Sequence, residues 1–332
     1  ASGSADGLLR VWEADAGSDP AQRTRPLMRA TGHSGEIFTL AYSRDGRFLA
    51  SGGLDQAVHL WRTANGKPVR QLNAHTGSIL SLRFSPDDRF LASSSIDHTI
   101  VLWDVGRGRL LHRLTDHLGW VYEVEFDQSG ETLLSVSTDR RVLFWDVSSG
   151  QPYYSLRLPT MGNSLNLSPD NKRLAVGLFD GSVHIWDVEE ILAGRQTLID
   201  QKEMLHGEQP AEQVIGGEMG WVWAVRFSPD GKYLATGSED KQVRLWELKT
   251  ERVSCLLSGH SRGVYRIAFS QDSRLLASSS SDEKICLWEV ATGRLLGHFA
   301  VPGLYEGLNV TGVSGLSDSE LDALLKHGAV LG

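Results

Sequence analysis

Residues 35–53, GEIFTLAYSRDGRFLASGG, and 77–95, GSILSLRFSPDDRFLASSS, each hold two runs in which apolar and polar side chains alternate around an Asp-containing turn. Alternation with period two turns one face of a strand to a core and the other to water, so each stretch predicts a β-hairpin. Clusters of Gly, Ser, Pro and Asp break every such run after about five to eight residues, too soon for an ordinary helix. The chain therefore predicts short strands from one end to the other.

The pattern is also periodic. A tryptophan ends a strand-like run at Trp12, Trp61, Trp103, Trp145, Trp186, Trp246 and Trp288, and four of the six intervals are 41 or 42 residues. Six residues before each stands an aspartate: Asp6, Asp55, Asp97, Asp139, Asp180, Asp240 and Asp282. Twenty-eight residues before four of them stands a histidine: His33, His75, His117 and His260. A period near forty with "GH", "SPDG" turns and a terminal Trp predicts an all-β propeller whose units are four-stranded blades.

From "SADGLLRVWE" to "SDEKICLWEV" the chain resembles the WD40 family. The resemblance implies seven blades, with the ring closed by pairing of N- and C-terminal segments. Residues 1–17 correspond to the later strands of a blade whose first strand is missing, and "YEGLNVTGVS" at 305–314 can supply it. "LSDSELDALLKHG" then predicts a short helix, with Ser317 as N-cap, Glu320 three residues on and Gly328 after the last turn. Residues 1–314 are expected to form the propeller, with an insertion at about 188–217, and 315–332 a helix and tail that complete or pack on the closing blade. Because the chain starts inside a repeat, it is expected to be a fragment of a longer polypeptide. Its ending, from Tyr305 to Leu331, resembles the tail of large prokaryotic proteins whose repeats follow a STAND- or NACHT-type nucleotide-hydrolysing module or a kinase.

Four blades repeat a set of polar residues that also suits acyl transfer: Ser51, His33, Asp55 with Trp61; Ser93, His75, Asp97 with Trp103; Ser135, His117, Asp139 with Trp145; Ser278, His260, Asp282 with Trp288. A Ser–His–Asp catalytic site is usually built once and beside an oxyanion hole, whereas four copies point to structure. The expected arrangement is a relay from Asp through imidazole and hydroxyl to the indole N–H, which the family resemblance also implies. The blade ending at Trp186 has Leu158 and Val176 in the His and Ser positions, and the blade ending at Trp246 has Glu218 and Thr236.

Three tryptophans are surplus to the repeat: Trp120, Trp221 and Trp223. Trp120 and Trp221 stand three residues after the His position. The position two further on holds Phe38, Leu80, Tyr122, Asn163, Trp223 and Tyr265, and the residue before the repeated Asp is Leu54, Ile96, Thr138, Phe179, Glu239 or Ser281. In the family these positions usually line the top face. Such an apolar and aromatic rim fits a protein or peptide partner, but the rings can instead pack on each other at the wide end of the barrel, or frame a small-molecule pocket. Glu36, Glu218, Glu239 and Arg262 lie close enough in sequence to orient a partner with basic or aromatic anchors. The insertion is expected beside the blade carrying Trp221 and Trp223, as a binding loop or as an edge extension.

Composition narrows the rest. A formal net charge of -8 argues against a general nucleic-acid surface. The chain has no long apolar span and no signal-peptide pattern, so it is expected to be cytoplasmic. Cys255 and Cys286 are expected to be reduced. No Walker-type loop, "HExxH" or paired "CxxC" is present, so neither cofactor nor metal is expected, and His59, His98 and His184 are expected to be ordinary surface residues. The leading expectation is a non-catalytic protein-recognition module, with the sensor region of a larger prokaryotic nucleotide-dependent signalling protein as the context that the tail suggests. The alternatives are a scaffold that binds upstream domains of its own polypeptide and an enzymatic or small-molecule-binding propeller.

Overall fold

The computed structural model describes residues 1–11, 28–192, 205–207, 210–217 and 220–300. Seven antiparallel sheets follow one another along the chain and form the seven blades of a β-propeller. They are blade 1 (residues 2–30), blade 2 (37–73), blade 3 (79–114), blade 4 (121–157), blade 5 (162–187 with Gln213–Gly216), blade 6 (222–258) and blade 7 (264–300). The closing strand expected at 305–314, the helix from Ser317, Trp12 and Glu218 lie outside the described residues.

The blades are thin, so their cores lie between them. Leu102, Leu114, Val124, Phe126 and Trp145 from blades 3 and 4 share one buried cluster, while Leu134, Phe144, Leu165, Val176 and Trp186 join blades 4 and 5. Each fully buried Leu or Val contributes about 1.5–3 kcal/mol. Burial also follows strand order within a blade. The second strand of blade 4, Thr132–Ser137, is buried throughout, whereas the outer strand of blade 2, Pro68–Asn73, is exposed at all but one position.

Inner strands pack against those of the next blade, and their free edges are satisfied by side chains. Thr39 Oγ1 accepts the Leu82 N–H at 3.1 Å, Glu123 Oε2 the Leu165 N–H at 3.1 Å, and Ser164 Oγ the Val225 N–H at 3.1 Å. These contacts tie blades 2–3, 4–5 and 5–6, and they cap strand edges that would otherwise invite further pairing.

Two turn types alternate around the ring. In the "SPDG" hairpins the serine hydroxyl donates to the aspartate two residues on, as in Ser43 to Asp45 at 2.7 Å and Ser85 to Asp87 at 2.6 Å. At the other end, each repeated Asp accepts the N–H two residues ahead: Thr99 to Asp97 at 2.9 Å, and Gln242 to Asp240 at 3.0 Å. The residue between takes a left-handed conformation, with φ of 69° at His98 and 73° at Lys241. An Asx turn compensates the strain that a non-glycine residue meets there.

The insertion departs from expectation. After the short helix Val188–Leu192, the segment Leu205–Gly207 pairs in parallel with the outer strand of blade 4, Gln151–Arg157, and gives that blade a fifth strand. Gln213–Gly216 then forms the outer strand of blade 5. The described part of the insertion therefore extends outer edges, and its added strand belongs to the blade of Trp145 rather than to that of Trp221. The outer strand of blade 4 offered a free hydrogen-bonding edge, which the extra chain fills.

Candidate interaction face and the polar relays behind it

The four repeated sets meet as hydrogen-bonded relays. In blade 4, His117 Nδ1 lies 2.8 Å from Asp139 Oδ2, its Nε2 lies 2.7 Å from Ser135 Oγ, and the Trp145 indole N–H donates to the same hydroxyl at 2.8 Å. The corresponding distances are 2.8, 2.6 and 2.7 Å for His33, Asp55, Ser51 and Trp61, and 2.9, 2.8 and 2.9 Å for His75, Asp97, Ser93 and Trp103. For His260, Asp282, Ser278 and Trp288 they are 3.1, 2.8 and 2.9 Å. The indole donates to the hydroxyl, the hydroxyl to Nε2, and the Nδ1–H to the carboxylate, so a neutral imidazole satisfies every member. The "GH" glycines make room for this packing: a Cβ at Gly32 or Gly259 would lie 2.8 Å from the Trp61 or Trp288 ring.

In blade 4, burial and bonding act on the two titratable members of the relay. Burial pushes His117 below its ordinary value, and the opposing pull of Asp139 does not restore it. Burial works against the ionised Asp139, but bonds from His117, Arg141 and the Leu118 N–H outweigh it and keep the carboxyl well below the usual range. Ser51, Ser93, Ser135 and Ser278 are all buried, and each hydroxyl is already shared between indole and imidazole. A hydroxyl placed this way has no approach for a substrate carbonyl.

Blades 5 and 6 are built differently. Leu158 and Val176 are buried in the cluster between blades 4 and 5, and among the described residues Asp180 bonds locally, to the Ser182 N–H at 2.9 Å and hydroxyl at 2.6 Å. In blade 6 the indole of Trp246 keeps its acceptor, Thr236 Oγ1, at 3.0 Å, and Arg244 takes the carboxylate of Asp240 at 2.5 Å.

The surplus tryptophans gather on the face that carries the His and Asp loops. Ring contacts run without a break from Trp120 to Tyr122 (6.3 Å between centroids), Phe179 (5.8 Å), Trp221 (5.0 Å), Trp223 (5.4 Å) and Tyr265 (5.2 Å). The arc spans blades 4 to 7. Backbone geometry brings its members together. Phe38, Leu80, Tyr122, Asn163, Trp223 and Tyr265 are each the residue passed over where the inner-strand register shifts. A β-bulge re-aims the side chain it carries. In blades 2 to 6 the residue before the repeated Asp bonds back to the position of the surplus tryptophans, as in Thr138 N–H to Trp120 O at 3.1 Å and Glu239 N–H to Trp221 O at 3.0 Å.

The arc is partly self-packed and partly open. The Trp223 indole donates to Glu239 Oε2 at 2.7 Å, so this acid is anchored to the aromatic surface. Trp120 and Trp221 remain 47% and 48% exposed. Leu54 and Phe38 are exposed on blade 2 and Ile96 is half-buried on blade 3, but the described ring contacts do not join Phe38 to the arc. Two exposed apolar residues on the same rim, Leu118 and Met161, were missed by the sequence reading. Met161 was findable, because it occupies in blade 5 the register position of Trp120 and Trp221.

The channel below was also missed. Glu123 of blade 4 accepts from Arg226 of blade 6 and from Arg83 of blade 3 at 3.2 Å, and Ser164 of blade 5 donates to it at 2.6 Å. Burial opposes the charge on Glu123, but Arg226 and Arg83 bring its pKa down to about 2. Arg266 of blade 7 crosses to the Leu80 carbonyl of blade 3 at 3.2 Å. These groups tie blades 3 to 7 together across the ring. A cleft of about 420 Å³, lined by residues that include Asp127, Asn171 and Val188, lies at the hairpin end between blades 4 and 5, away from the aromatic arc.

One histidine reading is corrected. His98 is exposed, but His59 is only 6% exposed and stacks on Trp61, with centroids 5.6 Å apart. Residues two apart on a strand share a face, so the side chain two before a buried tryptophan is carried inward with it. His184 is half-buried for the same reason.

Among the described residues no helix is long and apolar enough to cross a membrane. The family described as WD domain, G-beta repeat, matches residues 24–62, 66–104, 108–146, 151–187, 211–247 and 251–289, more than half of the chain. Protein HIR1 of Kluyveromyces lactis is 40% identical over 86 residues, covering 25% of this chain and 10% of the relative. Protein HIR1 of Yarrowia lipolytica is 41% identical over 97 residues, 27% of this chain and 9% of the relative. The chain thus spans about a tenth of the length of these curated relatives. They are fungal, and they lend no support to the prokaryotic signalling context expected from the tail, whose residues lie outside those described.

Proposed function

Because the chain belongs to the WD40 repeat family, we propose that it is a non-catalytic protein-recognition module that takes a protein or peptide segment on the aromatic arc of blades 4 to 7. The observation that carries this reading is the unbroken run of six rings with Trp120 and Trp221 each about half exposed. Rigid aromatic side chains bury much area at little entropic cost, which is why they recur as interface hot spots. Glu239, anchored by Trp223, adds an acidic group suited to a basic anchor on the partner. A net charge of -8 fits a protein partner better than a nucleic acid. The buried relays are structural, leaving recognition to the rim.

Affinity capture from a lysate of the source organism tests this, comparing the chain with a Trp120→Ala, Trp221→Ala, Trp223→Ala variant of unchanged β spectrum. A partner held by the native chain and lost by the variant is the expected result. Equal capture by both would remove the arc from recognition. No partner for either would favour the alternative scaffold, in which the arc packs on other parts of the same polypeptide.

A further inference from the structure

We propose that His33, Asp55 and His59 of blade 2 form a binding site for a divalent transition-metal ion, zinc above all. The starting observation is His59. Its Nε2 is buried with no hydrogen-bond partner among the described residues, 3.6 Å from Asp55 Oδ2, and its ring centroid lies 4.1 Å from that of His33. A buried imidazole nitrogen without a partner is costly, and such an atom usually has a use.

The relay itself has no need of His59. In the other three relay blades the same register position holds Val101, Leu143 and Cys286, all buried, and those relays are complete. Blade 2 alone among the four brings a second imidazole to the carboxylate.

The three ligand atoms lie within 4.8 Å of one another. Zinc bonds of about 2.0–2.2 Å to nitrogen and oxygen in tetrahedral geometry place ligand atoms about 3.3 Å apart. The distances from Asp55 Oδ2, 2.8 Å to His33 Nδ1 and 3.6 Å to His59 Nε2, straddle that value. The side chains of Asp55 and His59 are 7% and 8% exposed, so the site lies just beneath the surface, and water would supply the fourth ligand once these side chains part to admit the ion. Ser51, bonded to His33 Nε2 at 2.6 Å, fixes the first ring from behind. With metal at Nδ1, the His33 proton moves to Nε2 and is donated to Ser51 Oγ, which also accepts from Trp61 and must turn its own O–H away from the ring.

The test uses the whole chain after chelator dialysis, titrated calorimetrically with zinc chloride, and His59→Val, which installs the residue found at Val101. The native chain should bind one equivalent, and the variant should bind at least about tenfold more weakly while keeping its β spectrum. Cobalt(II) should give tetrahedral d–d absorption in the native chain only, and His184→Val should behave like the native chain. Absence of a stoichiometric site in the native chain, or equal binding by His59→Val, would overturn the proposal.

Discussion

Blades 4 and 5 are neighbours whose three inner strands follow the same plan, yet they fasten loop to sheet by opposite chemistry. Blade 4 uses the polar relay of His117, Ser135, Asp139 and Trp145, all closely bonded. Blade 5 replaces imidazole and hydroxyl together by Leu158 and Val176 and buries both in the cluster the two blades share. Both solutions leave no orphaned polar atom at these positions among the described residues. The difference teaches that the relay is dispensable as a unit and not in part, because a half-satisfied buried network costs more than an apolar one.

The sharpest way to break this symmetry is His117→Ala. It leaves the buried Asp139 without its imidazole and Ser135 without its acceptor, so urea unfolding should show a loss of about 2–4 kcal/mol. Asp180→Asn in blade 5, where among the described residues the carboxylate bonds to Ser182, should cost far less. Equal losses would mean that blade 4 gains nothing from its relay. A smaller effect comes from building half a relay in blade 5. Leu158→His places an imidazole beside Val176 with no hydroxyl to meet it and should cost about 1–3 kcal/mol. Adding Val176→Ser should recover part of that loss, and a double-mutant cycle without favourable coupling would show that Asp180 cannot complete the set.

The same contrast explains what was legible in the sequence. Blade number and the relay residues follow from short-range spacing: Asp six residues before Trp fixes a turn and a strand within one hairpin. Leu158 and Val176 were readable as a joint replacement because both positions changed at once. The positions of Trp120, Trp221 and Tyr265 followed from register, but their edge-on contacts depend on a bulge and on the angle between blades, which no local pattern encodes. Arg83, Glu123, Arg226 and Arg266 stand on four different blades and meet only when the ring closes. The strand Leu205–Gly207 was hidden for a similar reason, since its partner edge in blade 4 is some fifty residues earlier in the chain. His59 was the avoidable miss: its burial follows from sharing a face with Trp61.

The smallest expected effect is on pH dependence, and it separates the two ways of fastening by the size of the decline. Burial lowers the pKa of His117 in the folded protein below the ordinary 6.5. As pH falls through 6.5 the unfolded chain takes up a proton at this site while the folded chain does not, so stability declines until the folded pKa is passed. Each pH unit separating the two values corresponds to about 1.4 kcal/mol. Asp97 and Asp139, held below the ordinary 3.8, stabilise the fold above that value and lose their contribution only as pH falls further. The urea midpoint should therefore drop between about pH 7.5 and about pH 5.5, before Asp97 and Asp139 lose their contribution. His117→Leu, which gives blade 4 the side chain of blade 5, should start from a lower midpoint yet lose less of it over that interval. An equally steep decline would mean that the pH dependence arises elsewhere, with His33, His59 and His184 as the remaining histidines lowered by burial.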